Sequence, residues 1–148
     1  MKLLVACEML RDELELAMER TGIHPETLWL EKGLHEFPQN LNQKLQELLD
    51  GLDPRYDEVF FSMCYCGGAM DGLHSDHARL VVPRFDDCIR MLLSTEAGAW
   101  NRADARTMYF TRQWMDSDRY IVRDMERYIE DYDEDTAEMI MESMLARS

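Results

Sequence analysis

Three short runs in the chain, "KLLVA" (residues 2–6), "EVFFSM" (58–63) and "RLVVP" (79–83), are apolar almost without interruption. A strand with one wet face alternates apolar and polar side chains, so unbroken runs of this length mark strands covered on both faces. Such strands belong to parallel sheets, whose crossover connections lay helices over both surfaces. Two further runs, "TLWLE" (27–31) and "TMYFT" (107–111), complete five expected strands.

The stretches between the strands carry helical periodicity. "EMLRDELELAMERTG" sets Met9, Leu10, Leu14, Leu16 and Met18 on or near one face and ends at Gly22, a residue suited to a left-handed helix end. "PQNLNQKLQELLDGL" opens with Pro38 near its first turn and places Leu41, Leu45, Leu48, Leu49 and Leu52 in one stripe. Asp87 caps "CIRMLLSTEA", with Ile89, Leu92 and Leu93 facing inward. "SDRYIVRDMERYIED" and "TAEMIMESMLA" supply two more helices. Strand alternating with helix predicts an α/β fold: an open, mostly parallel sheet of about five strands flanked by helices. The 148 residues are expected to form a single domain, with 131–148 as an acidic, methionine-rich helical extension.

Charge then removes classes of partner. Thirty acidic against sixteen basic residues give a net charge of −14, and the basic residues are scattered. That balance repels nucleic acid and anionic membrane surfaces. No run is long and apolar enough to span a bilayer. The opening "MKLLVACEML" resembles a signal peptide only until Glu8 interrupts it, so a cytoplasmic protein is expected. In that setting Cys7, Cys64, Cys66 and Cys88 are reduced thiols rather than a disulfide framework. In "EMIMESML", Met139, Ile140, Met141, Met144 and Leu145 circle most of a helix, a pattern that calls for burial on several sides. A second copy of the chain or a partner subunit would supply it.

All strand ends of one sense share one edge of a parallel sheet, and open α/β folds bind ligands there. Cys7 follows the first strand, Cys64 and Cys66 the third, and Cys88 heads the helix after the fourth. His35 follows the second strand and belongs to the same edge, as does Trp114 after the fifth. Three readings of the thiols stand open. Cys7, Cys66 and Cys88 can ligate zinc, copper(I) or an iron–sulfur cluster, with His35, Cys64 or Asp86 as a fourth ligand. Alternatively, Cys88 is a reactive thiol at a helix start, opposed by Asp86 and Asp87. The third possibility is inert packing, since free cysteine is among the most buried residue types. Gly67 and Gly68 permit the backbone to wrap a cofactor closely, and Arg84 offers a guanidinium to the carboxylate or phosphate of a small-molecule ligand.

The stretches "LLVACEMLRDEL", "LEKGLHEFPQNLNQKLQELLD", "YDEVFFSMCYCGGAMDGL", "LVVPRFDDCIRMLLS" and "TMYFTRQW" occur in this order across residues 1–115. Together they resemble the family of unknown function numbered 1638, found largely in methanogens and anaerobic bacteria. The resemblance implies cysteines at Cys7, Cys66 and Cys88 and a histidine at His35 as features of the family pattern. It also implies an accessory or redox role near anaerobic one-carbon, corrinoid-dependent metabolism. The chain departs from the family pattern in three places. Asp86 stands where His is common, Cys64 where Gly is usual, and Gly68-Ala69 where the family carries Asn-Gly. The resemblance further implies a chain shortened at its C-terminus, which would complete its core by pairing with another chain.

Overall fold

The computed structural model describes residues 1–94, 107, 109–117 and 121–145. They fall in two compact units, Met1–Tyr109 and Phe110–Ser148. In the first, β1 (Lys2–Cys7), β2 (Glu26–Leu30), β3 (Glu58–Phe61) and β4 (Arg79–Val81) form one sheet in the order β2-β1-β3-β4. All three pairings are parallel, as the unbroken apolar runs require. At the amino edge Glu58 fixes the register of three neighbouring strands. Its carboxylate takes Lys2 of β1 at 3.1 Å and Arg79 of β4 at 2.7 Å.

The core lies on one face of this sheet. Alternate residues Leu3 and Val5 of β1, and Val59 and Phe61 of β3, point toward helix α2 (Pro38–Asp50). That helix answers with Leu41, Leu45 and Leu49, all buried and spaced by four. Pro38 at its start costs nothing, because the first helical N–H groups have no intrahelical acceptor. Helix α1 (Arg11–Thr21) behaves differently from its sequence pattern. Met9 and Leu10, in the 3-10 turn before it, are buried, but Leu16 is exposed and α1 buries no residue. Gly22 ends α1 in the left-handed conformation, its N–H donating to Met18 O. Helix α3 (Cys88–Leu93) follows β4 after a short loop.

The expected fifth strand is not formed. Of residues 107–111, the described Thr107, Tyr109, Phe110 and Thr111 carry no strand, which leaves the sheet with four. Thr111 shows why this run misled. Its backbone is extended, but its hydroxyl accepts the Trp114 N–H at 3.3 Å and caps helix α4 (Arg112–Met115). A short run of large apolar residues before a cap looks like a strand, yet here it leads into a helix. With no fifth strand, Trp114 does not sit at a strand end. It lies in α4, edge-on to Phe110 at a centroid distance of 5.6 Å.

In the second unit α5 (Ile121–Asp131) packs on α6 (Glu134–Leu145). Asp133 caps α6, accepting from Thr136 N–H at 2.8 Å and from its hydroxyl at 3.0 Å. Ala137 is fully buried, whereas Met139 is 66% exposed. Among the described residues no helix is long and apolar enough to cross a membrane.

Candidate functional site

Parallel pairing carries the chain to one edge at the ends of β1, β3 and β4. Cys7 closes β1, paired in register with Leu30 of β2. Beyond β3, Ser62 N–H still reaches Val5 O at 3.0 Å. The segment then crosses to the loop after β4, with Tyr65 N–H donating to Phe85 O at 3.1 Å and Cys66 N–H to Asp86 O at 3.0 Å. These two bonds lash the cysteine turn to the loop that leads into α3 and Cys88.

The turn itself is unusual. Cys66, Gly67 and Gly68 all have positive φ, at 43°, 69° and 92°. Glycine adopts this region freely, but for cysteine it costs about 1–2 kcal/mol. Backbone strain of this kind persists only where its surroundings enforce it. Here α2 does so. A Cβ on Gly67 would lie 3.1 Å from Pro38 Cγ, and one on Gly68 would lie 3.0 Å from Asp71 Oδ2. Asn42 Nδ2 donates to Ala69 O and to Asp71 O, both at 2.9 Å. Asn42→Ala removes both bonds and is expected to cost about 1–3 kcal/mol by urea denaturation. Amide exchange from Cys66 to Asp71 should accelerate more than exchange in β1.

Across the turn, Asp87 caps α3 by accepting the Arg90 N–H at 2.8 Å. Arg90 then holds Asp86 at 2.6 Å and Asp87 at 3.6 Å. The carboxylate of Asp86 is thus engaged by a guanidinium and largely exposed, a poor disposition for a fourth ligand. Arg84 is exposed, and His35 is half-buried in a 3-10 turn (Leu34–Glu36) after β2.

The thiols share an environment. Burial is the largest cause raising each of their pKa values. Charge on Cys66 further raises Cys7, Cys64 and Cys88, and charge on Cys7 raises Cys88. Cys64 and Cys88 are pushed up to about 12. The Asp87 carboxylate opposes ionisation of Cys64, Cys66 and Cys88 in the same sense. At pH 7 a thiol with such a value is ionised at roughly one part in 10⁵, so the helix start at Cys88 does not make it a ready nucleophile. All four cysteines are free.

Cys7, Cys66 and Cys88 therefore influence one another's ionisation, and charge on Cys66 and Cys88 raises Cys64 as well. Yet among the described residues no three His, Cys, Asp or Glu side chains are placed to hold a metal ion. The donor chemistry fits a soft cation; the protonated thiols do not stand in a ligand set. Sequence reasoning missed Asn42, which supports the turn, and Met91, whose Sδ lies 3.8 Å from Cys64 Sγ. The spacing of Met91 three residues after Cys88 on a helix was a usable signal.

The model of the protein family of unknown function DUF1638 matches residues 29–147. The chain belongs to this family. The DUF1638 match includes His35, Cys64, Cys66 and Cys88, and it begins after Cys7. It also extends through α5 and α6. Neither a curated protein nor a solved structure matches the chain.

Proposed function

We propose that this DUF1638 protein binds a metal ion or iron–sulfur cluster through Cys7, Cys66 and Cys88, with an accessory or redox role in anaerobic one-carbon metabolism. The observation that carries this reading is that three distant segments deliver thiols to one edge of the sheet, Cys7 closing β1, Cys66 following β3 and Cys88 opening α3. Without a ligand these buried thiols stay protonated, and a bound cation is what would hold them as thiolates. A zinc ion or an iron–sulfur cluster would supply that charge, and the ligands would release their protons on binding. The chain's own contribution is a fixed backbone. Gly67 and Gly68 allow close approach, and Cys64 stands as the nearest additional thiol. His35 remains a candidate for a fourth position from its place after β2. The metabolic setting rests on the family resemblance alone.

A second reading has its own support. Met139 and Tyr132 are 66% and 63% exposed beside the acidic side chains of α5 and α6. An interaction module would use that surface to bind a second copy or another subunit, with the cysteines as packing.

Anaerobic purification followed by metal analysis separates the two. Stoichiometric iron with a broad absorption near about 400 nm, or stoichiometric zinc in colourless protein, is the expected outcome. Cys66→Ser and Cys88→Ser should each abolish the bound metal. Metal-free protein that takes up neither zinc nor iron, yet elutes as a tight oligomer, would leave the interaction module instead.

A further inference from the structure

We propose that the outer edge of β2 is a self-association surface, on which a second copy of this chain lays its own β2 antiparallel and doubles the sheet.

The first observation is the edge itself. β2 (Glu26–Leu30) ends the sheet, and among the described residues its only strand partner is β1. Its outward N–H and C=O groups form a row that another strand can bond. Lone proteins blunt such a row with charge, proline or a bulge. The centre of β2 has none of these, because Thr27, Leu28 and Trp29 run in unbroken register with β1. Glu26, the one charge in the strand, is held by Arg55 at 2.6 Å.

The second observation is an unfilled groove beside that edge. Glu26, Leu28 and Leu30 share the face of β2 that looks toward α2, since they pair in register with Leu3, Val5 and Cys7. Leu28 is 37% exposed there, and two hollows of about 490 and 550 Å³ lie between β2 and α2. Leu28, Glu47 and Leu48 line both, so the hollows form one groove along the strand. A strand added to the edge sends alternate side chains to this face, and successive ones enter successive hollows.

Self-complementarity selects the occupant. A partner related by a two-fold axis at Leu28 overlaps all five residues of β2. It sets Leu28 against its own equivalent, Thr27 against Trp29, and Glu26 against Leu30. β-Branched against aromatic is a favourable cross-strand pair, and no like charges stand opposed. The axis also carries Glu26, with Arg55 attached, into the hollow beside Leu30, which is lined by Glu31, Lys44 and Glu47. Lys44 has no ion pair among the described residues and takes the partner's Glu26, while Glu47 takes the partner's Arg55. Each contact occurs twice. The net charge of −14 resists contact between copies elsewhere, but along this edge cations and carboxylates are matched.

The test follows the whole protein, kept reduced, by sedimentation equilibrium from micromolar to near-millimolar concentration. The mass should climb from 17.5 kDa toward twice that value along a single monomer–dimer curve. Leu28→Lys sets two ammonium groups face to face on the axis and should weaken association about tenfold or more, with the circular dichroism of a dilute sample unchanged. Should that variant misfold, Lys44→Glu on the exposed side of α2 supplies the same comparison, through repulsion of the partner's Glu26. Register is read by Leu28→Cys, which on mild oxidation should crosslink to a dimer much faster than Leu16→Cys on exposed α1, with the unsubstituted chain as background. A chain that stays monomeric throughout overturns the proposal. So does a dimer indifferent to Leu28→Lys and Lys44→Glu, which would be joined through another surface. Neither readout involves bound metal, so the reading of the thiols stands or falls separately.

Discussion

Metal-free protein is expected to lose stability steeply as the pH rises from 9 toward 12. The pKa values of Cys64 and Cys88 are raised from 9.0 to about 12, chiefly by burial. Below pH 9 both folded and unfolded chains keep these thiols protonated, so the contribution is fully present. Above it the unfolded chain releases protons that the folded chain still holds, and the balance shifts toward unfolding. Each such thiol contributes a slope of up to about 1.4 kcal/mol per pH unit, hence at most about 4 kcal/mol for Cys64 across the window. Because the thiols influence one another, their losses do not simply add. Urea midpoints at pH 8, 9 and 10 check this against Cys64→Ala, in which the fall should be visibly shallower. A midpoint that tracks identically in both proteins would show that burial of Cys64 exerts no such linkage. Bound metal should abolish the effect, since ligation holds the thiolates ionised in the folded state.

The second large effect belongs to the core. Leu45 is fully buried at the centre of α2, between Leu41 and Leu49, and faces the sheet residues Val59 and Phe61. Leu45→Ala is expected to cost about 3–5 kcal/mol, because the removed atoms leave a cavity that a parallel sheet and a thirteen-residue helix cannot collapse to fill. That is a large share of a typical domain's stability of about 5–15 kcal/mol. Leu48→Ala, on the half-buried flank of the same helix, should cost less than half as much. Calorimetric or denaturant unfolding of both variants makes the comparison, and equal losses would contradict the placement of the core. Because α2 also supplies Pro38 and Asn42, the Leu45 variant should loosen the cysteine turn as well.

The parallel sheet was legible because "KLLVA" and "EVFF" are apolar almost throughout, although burial along β3 alternates, with Val59 and Phe61 buried and Phe60 only half-buried. Helix α2 was legible because one stripe carries nearly all of its apolar residues. Failure came where a local pattern served a different partner. In "TMYFT" the terminal threonine was required as a cap, which a short apolar run cannot reveal. The apolar residues of α1 were spaced for burial, but only Met9 and Leu10 of that group are buried.

For the site, chain order sufficed to bring the cysteines to one edge, since parallel topology leaves no other place for them. The details were not legible. Asp86 turns to Arg90 because an i,i+4 ion pair on the first turn of α3 is available to it. The strain at Cys66 depends on Pro38 and Asn42, twenty-eight and twenty-four residues earlier, and no periodicity links them. Met91 looks like a core methionine until Cys64 is found beside it.

The left-handed turn at Cys66–Gly68 carries one last implication. Its torsional work is completed during folding, with α2 as the clamp. If the proposed metal binds here, the turn's main chain is already set, and side-chain rotations of picoseconds to nanoseconds would suffice to bring the sulfurs round. Loading would then be paced by the departure of protons from buried thiols rather than by closure of a loop.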